Sequence, residues 1–245
     1  MKLVTGGTKG IGLAIAERLA RPGEAIVLAY HRDHEAAKAA EARIAATGAR
    51  AVSVCADVGT IEGCEALMAR LAAMEAPGPL HIVHSAAMIY PTSLMGADLE
   101  TFTRAIQTNG LSLLYLAQKA APLLTRGSSI VFISSAGARS AISSTYGALG
   151  AGKALAEAII RYLVPELAPL GVRINAVAPG LVHTTSVAAM LGSEEAAARL
   201  VERAARANPS GRAIRDADYA AMVEYLLAPE AEFIQGQVIQ VSGGA

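Results

Sequence analysis

The sequence predicts an α/β domain built as a doubly wound parallel sheet with helices on both faces. Three observations carry this expectation. Short β-branched runs alternate with Ala-rich helical patterns along the chain. The runs are near-continuously apolar, as strands covered on both faces should be. A glycine-rich turn, "VTGGTKGIG" at 4–12, joins the first run to the first helical pattern. With no linker and no longer repeat, the pattern predicts a single domain over residues 1–245, its strands joined by right-handed crossovers.

The elements follow in order. "KLVT" precedes a helix at Ile11–Ala20, and "AIVLAY" (25–30) precedes an Ala/Glu/Lys-rich helix reaching Thr47. "AVSVCA" (51–56) precedes Ile61–Met74, and "LHIVHSAA" (80–87) precedes one long helix, Leu99–Leu124. "SIVFISS" (129–135) leads to Ser144–Leu167, where Pro165 predicts a lost hydrogen bond or a kink. "VRINAVAPG" (172–180) leads to Glu194–Ala207, and a last helix, Ala217–Leu227, runs into "QVIQVSGG".

Composition excludes several classes. Hydrophobic residues make up 53% and charged residues 17%, enough for a core and too apolar for disorder. Lys+Arg and Asp+Glu balance at 21 each, so no nucleic-acid partner is expected. No apolar segment is long enough to span a bilayer, and "MKLVTGG" reads as a strand rather than a signal peptide. Cys55 and Cys64 have neither metal-site nor disulfide-framework spacing, and His81, His84 and His183 show no metal-ligand pairing. The expectation is a soluble cytoplasmic protein without a metal.

The glycine turn points to a bound dinucleotide. Gly6, Gly10 and Gly12 give G-x-x-x-G-x-G, with Thr8, Lys9 and Ile11 between them. Glycines there permit a tight turn and bring backbone N–H groups close to a pyrophosphate, over the positive end of a helix. An acidic residue ending the second strand would favour a ribose 2′-hydroxyl; this chain has Tyr30, His31 and Arg32 there. With Lys9 they suit a 2′-phosphate, so NADPH is expected over NADH.

Further motifs follow in order: "ADV" at 56–58, Asn109, "ISS" at 133–135, Tyr146 and Lys153, "NAVAPG" at 175–180 and a terminal "GQVIQVSGG". Together with "TGGTKGIG" they resemble the short-chain dehydrogenase/reductase superfamily over essentially the whole chain. The resemblance implies a Rossmann-type fold, a nicotinamide cofactor, and a Ser135/Tyr146/Lys153 site supported by Asn109. It implies further that Asp57 and Val58 meet the adenine and that Ser85, Ala86 and Ala87 border the cofactor's passage. Lys153 would hold the nicotinamide ribose, and Pro179, Gly180, Val182 and Thr184 would surround the carboxamide. It also implies a homotetramer, with which the apolar stretch Leu111–Leu116 is compatible. Two departures stand out: His84–Ala87 replaces the usual "NNAG", and Ser242 replaces an Asp near the final glycines.

The tyrosine is displaced. Tyr146 precedes Lys153 by seven residues instead of four, and Leu149 takes the customary tyrosine position, while Ser135 keeps its usual distance from the lysine. Residues i and i+7 still share a helix face, about 10 Å apart along the axis. A lysine ammonium near a tyrosine should lower its pKa and suit it to donate a proton. In carbonyl reduction, hydride lands on the carbon bearing the oxygen. In enoyl thioester reduction it lands on Cβ, and charge develops on an oxygen several bonds away, so the acid must sit further out.

Tyr-x6-Lys is the spacing of the enoyl-acyl-carrier-protein reductases of this superfamily. "YGALGAGKALAEAIIRYL" is similar to theirs. "ANPSGRAIRDADYAAMVEYLL" and "VHSAAMIYP" resemble the NADPH-dependent branch. Some members carry a further tyrosine where this chain has Ala136. The expectation is reduction of an enoyl thioester carried by acyl-carrier protein or coenzyme A, under a mobile apolar lid at about 185–212. Two alternatives stay open: reduction of a 3-ketoacyl thioester or other carbonyl, and an NADP(H)-binding sensor without turnover.

Overall fold

In the computed structural model, which describes residues 1–76 and 78–245, the apolar runs form β1 (Lys2–Thr5), β2 (Ala25–Tyr30), β3 (Arg50–Cys55), β4 (His81–His84), β5 (Ser129–Ile133), β6 (Arg173–Pro179) and β7 (Val238–Val241). They pair in parallel throughout, in the order β3-β2-β1-β4-β5-β6-β7. Between them lie α1 (Gly10–Leu19), α2 (His34–Ala45), α3 (Ile61–Ala72), α4 (Leu99–Ile106), α5 (Ser112–Ala120), α6 (Gly147–Leu167), α7 (Thr185–Leu191), α8 (Glu194–Ala207) and α9 (Asp216–Leu227). Side-chain oxygens of Asp33, Thr60, Asp98 and Ser193 accept backbone N–H bonds in the first turns of α2, α3, α4 and α8.

Alternation along a strand sends neighbouring residues to opposite faces. Leu3, Ile82 and Phe132 pack with Leu67, Leu113 and Ile160 of α3, α5 and α6. Val4, Val83 and Val131 pack with Ile15, Ile44 and Tyr219 of α1, α2 and α9. Both faces are therefore core, which is why the strands read as unbroken apolar runs. The crossovers leave β1 and β4 in opposite directions, so the cleft opens at the carboxyl ends of the central strands. No helix among the described residues is long and apolar enough to cross a membrane.

The long helix expected at Leu99–Leu124 is instead interrupted by a π turn at Gln107–Leu111 and tightens to a 3₁₀ turn at Ala121–Leu123. The interruption places Gly110 against α6, where an added Cβ would meet the Gly152 carbonyl oxygen at 2.7 Å. Within Leu111–Leu116, the stretch compatible from sequence with a subunit contact, Leu113 and Leu116 are buried in the chain's own core, while Leu111, Leu114 and Tyr115 are partly exposed. The helix expected from Ser144 begins at Gly147, with Tyr146 as its N-cap residue. Pro165 does not end α6, which continues to Leu167. So near the end, a missing N–H forfeits little of the hydrogen-bond ladder.

Candidate active site

A cleft of about 790 Å³ runs along the carboxyl ends of the central strands. The glycine turn between β1 and α1 forms its floor, and Gly6, Thr8, Lys9, Gly10, Ile11 and Gly12 all line it. Gly6 has φ of +62°, and a Cβ there would lie 2.9 Å from Ala86 Cα. A Cβ on Gly12 would lie 2.2 Å from the Gly6 carbonyl oxygen. Lys9 is the N-cap of α1 and gives it no side-chain hydrogen bond, so among the described residues no capping side chain takes up the first-turn N–H groups. That backbone cradle fits a pyrophosphate.

Tyr30, His31 and Arg32 line the next part, opposite Asp57 and Val58. His31 Nε2 lies 3.5 Å from Asp57 Oδ2. The reading of this rim as basic needs correction, because Asp33 lines it too. Lys9 Nζ bonds Asp33 Oδ2 at 2.7 Å, while Asp33 Oδ1 accepts from Ala36 N–H. The Lys9 hydrogen bond, then that of Ala36, hold the Asp33 carboxyl below its usual pKa. Asp33 is thus occupied by a helix cap and a lysine, and Arg32 makes no ion pair among the described residues.

At the other end, Ser135 ends β5's extension and Tyr146 begins α6, and their hydroxyls lie 3.0 Å apart. Gly137 makes this possible: a Cβ there would stand 2.4 Å from Tyr146 Cε1. Leu149 lines the cleft one turn along the helix. Lys153 is buried, donates to the Ile133 carbonyl oxygen at 2.7 Å, and lies 4.4 Å above the Phe132 ring. Burial lowers its pKa to about 7.

The expected Lys153–Tyr146 pairing is therefore not present. Burial raises the Tyr146 pKa, and the Ser135 hydrogen bond opposes that. Tyr146 is a protonated phenol at neutral pH, suited to donate.

Ser85, Ala86, Ala87 and Thr184 line the cleft, but Asn109, Pro179, Gly180 and Val182 do not. Asn109 is buried behind the wall. Its Oδ1 accepts from Met88 N–H at 2.8 Å, and its Nδ2 donates to the Met88 carbonyl oxygen at 2.9 Å. Val182 packs into the core, and Thr184 caps α7. Of the expected lid, α7 lines the cleft through Val187, Ala189 and Met190, whereas α8 does not.

A family model described as enoyl-(acyl carrier protein) reductase matches residues 6–245. The chain belongs to the short-chain dehydrogenase/reductase superfamily. It is 32% identical to 1-cyclohexenylcarbonyl-CoA reductase of Streptomyces collinus, covering 100% of this chain and 86% of that protein. It is also 32% identical to the chloroplastic NADPH-dependent aldehyde reductase 2 of Arabidopsis thaliana, covering 99% and 92%. A short-chain dehydrogenase from Burkholderia cenocepacia J2315, solved in complex with NADP, superposes with a TM-score of 0.88 at 29% identity, covering 99% and 96%.

This short-chain dehydrogenase/reductase is thus an oxidoreductase, and several of its cleft residues escaped sequence reasoning. Arg104 and Thr108 enter the wall through the α4–π-turn break, which no periodicity announced. Ser134 lines the cleft and donates to the buried Glu157 Oε1 at 2.6 Å; Arg139 Nε reaches the other oxygen at 3.5 Å. Ser242, unexplained from sequence, lies beside Gly180, and its carbonyl oxygen accepts from Asn208 Nδ2 at 2.7 Å.

Proposed function

We propose that this short-chain dehydrogenase/reductase uses NADPH to reduce the 2,3 double bond of an enoyl thioester carried by acyl-carrier protein or coenzyme A. The observation that carries this is the Tyr146 hydroxyl, held 3.0 Å from Ser135 Oγ, while Leu149 fills the usual tyrosine position on the cleft wall. The matching family model and the Streptomyces relative's name support the same reading. Arg32 on the rim, without an ion pair among the described residues, supports the 2′-phosphate.

NADPH held along the glycine turn would supply a hydride for Cβ. Tyr146 donates its hydroxyl proton toward the enolate oxygen that develops, and Ser135 orients that hydroxyl. Lys153 is fixed by Ile133 beneath the site, and Asn109 fixes the Met88 backbone at its wall. Met190 and Val187 of α7 offer an apolar surface to an acyl chain.

One observation favours a second reading. Two hydroxyls 3.0 Å apart suit a single carbonyl oxygen, as in reduction of a 3-ketoacyl thioester or an aldehyde. NADPH oxidation with 2-enoyl and 3-ketoacyl thioesters side by side separates them. Turnover of the enoyl substrate alone is expected. Turnover of the ketoacyl substrate alone overturns the proposal, and tight NADPH binding without turnover of either points to a sensor.

A further inference from the structure

His84 occupies the place where the superfamily resemblance led us to expect an asparagine, and it is fully buried at the exit of β4. Its ring nitrogens engage two hydroxyls on opposite sides. Nδ1 lies 2.6 Å from Thr5 Oγ1, and Nε2 lies 2.7 Å from Ser112 Oγ. The directions of these bonds follow from what lies beyond them. Ser112 Oγ donates to the Thr108 carbonyl oxygen at 2.6 Å, so it has only an acceptor left for His84. His84 must then carry its proton on Nε2, leaving Nδ1 to accept from Thr5. Thr5 Oγ1 in turn accepts from Ala86 N–H at 3.3 Å.

The chain of donors therefore runs in one direction. Ala86 N–H donates to Thr5, Thr5 to His84, His84 to Ser112, and Ser112 to Thr108. Its two ends are backbone groups of residues that line the cleft, Ala86 beside the glycine turn and Thr108 in the π turn. The Phe132 ring lies between His84 and Lys153, 5.6 Å from the imidazole centroid and 4.4 Å from Nζ.

We infer that His84, in a single neutral tautomer, is a positioning residue that fixes the Ala86 and Thr108 backbones relative to the β1 glycine turn. The inference rests on the reading of the cleft as a nicotinamide-cofactor site. Burial, with the nearby Lys153 charge, lowers the His84 pKa to about 3, consistent with a permanently neutral ring.

The first test is ¹⁵N–¹H long-range correlation NMR of the wild-type imidazoles between pH 5 and 8. A His84 signal showing the Nε2–H tautomer, unchanged with pH, is expected. An Nδ1–H tautomer, or titration in that range, overturns the inference. Thr5→Val and Ser112→Ala then cut the chain on either side of the ring.

Each variant is expected to weaken NADPH binding several-fold, because the Ala86 and Thr108 backbones that line the cleft lose the chain tying them together. Combined with His84→Phe, either adds little, because the chain is already cut. If all three variants keep wild-type NADPH affinity and turnover while only their melting temperature falls, His84 is merely structural and the inference fails. Wild-type protein that does not bind NADPH would sink the cofactor reading instead, and the tautomer signal would still report on the hydrogen-bond chain.

Discussion

At the residue scale, Tyr146 and Lys153 have separate partners, Ser135 and Ile133. Tyr146→Phe keeps the ring that fills the space beside Gly137 and removes only the hydroxyl. Turnover should fall by about 10²–10⁴-fold while the NADPH dissociation constant stays unchanged, as read by stopped-flow and fluorescence titration. Lys153 has its folded pKa lowered from 10.5 to about 7. Between those values the unfolded chain holds a proton that the folded chain does not, so this residue makes stability rise as pH rises from about 7 to 10.5. Lys153→Met should flatten that rise in denaturant titrations. Arg32→Ala should weaken NADPH binding about tenfold and leave NADH binding nearly unchanged, measured calorimetrically. The spacing of these residues was legible because it is a property of the chain. That Lys153 bonds Ile133, and that Asp33 holds Lys9, was not, because those partners come together only when β5 and α6, or α1 and α2, have packed.

At the scale of elements, the start of α6 is fitted to its neighbours by missing side chains. A Cβ on Gly150 would lie 2.6 Å from the Gly137 carbonyl oxygen, and one on Gly152 would lie 2.6 Å from Asn109 Cβ. Gly150→Ala should cost about 1–3 kcal/mol in urea unfolding, since the opposing atom is backbone and cannot swing aside. It should also lower turnover by shifting the turn that supports Tyr146. The strands and most helices were legible from their apolar runs, and Glu194–Ala207 was placed to the residue. The π turn was not, because an apolar pattern running through residues 99–124 keeps its helical period whether or not one turn widens. Its cause lies in tertiary packing, where Gly110 meets Gly152.

At the scale of the whole molecule, one sheet with two apolar layers brings turns from distant parts of the sequence to one edge. The fold class was legible from the alternation of elements. The full extent of the cleft was not: α8 reads as lid from its place after "PGLVHT", yet packing keeps it off the cleft wall. The same packing sets acid stability. Burial holds His84 near 3 and His81 near 4, both from 6.5. As pH falls below about 6.5 the unfolded chain takes up protons that the fold refuses, so stability should fall toward pH 4. Chemical denaturation at pH 7 and pH 4.5 checks this, and His84→Phe should show a shallower loss.

Tyr146 and Leu149 stand three residues apart on the edge of one cleft, about 4.5 Å along a helix axis. On the proposed reading, the place where the proton is delivered is a matter of register, like the position of a stop on a scale. Two substitutions, Tyr146→Phe and Leu149→Tyr, would slide that stop by one notch without touching the sheet. If that reading holds, a lineage crossing between the two chemistries would need no new fold or cofactor site, only a short period in which both hydroxyls coexist.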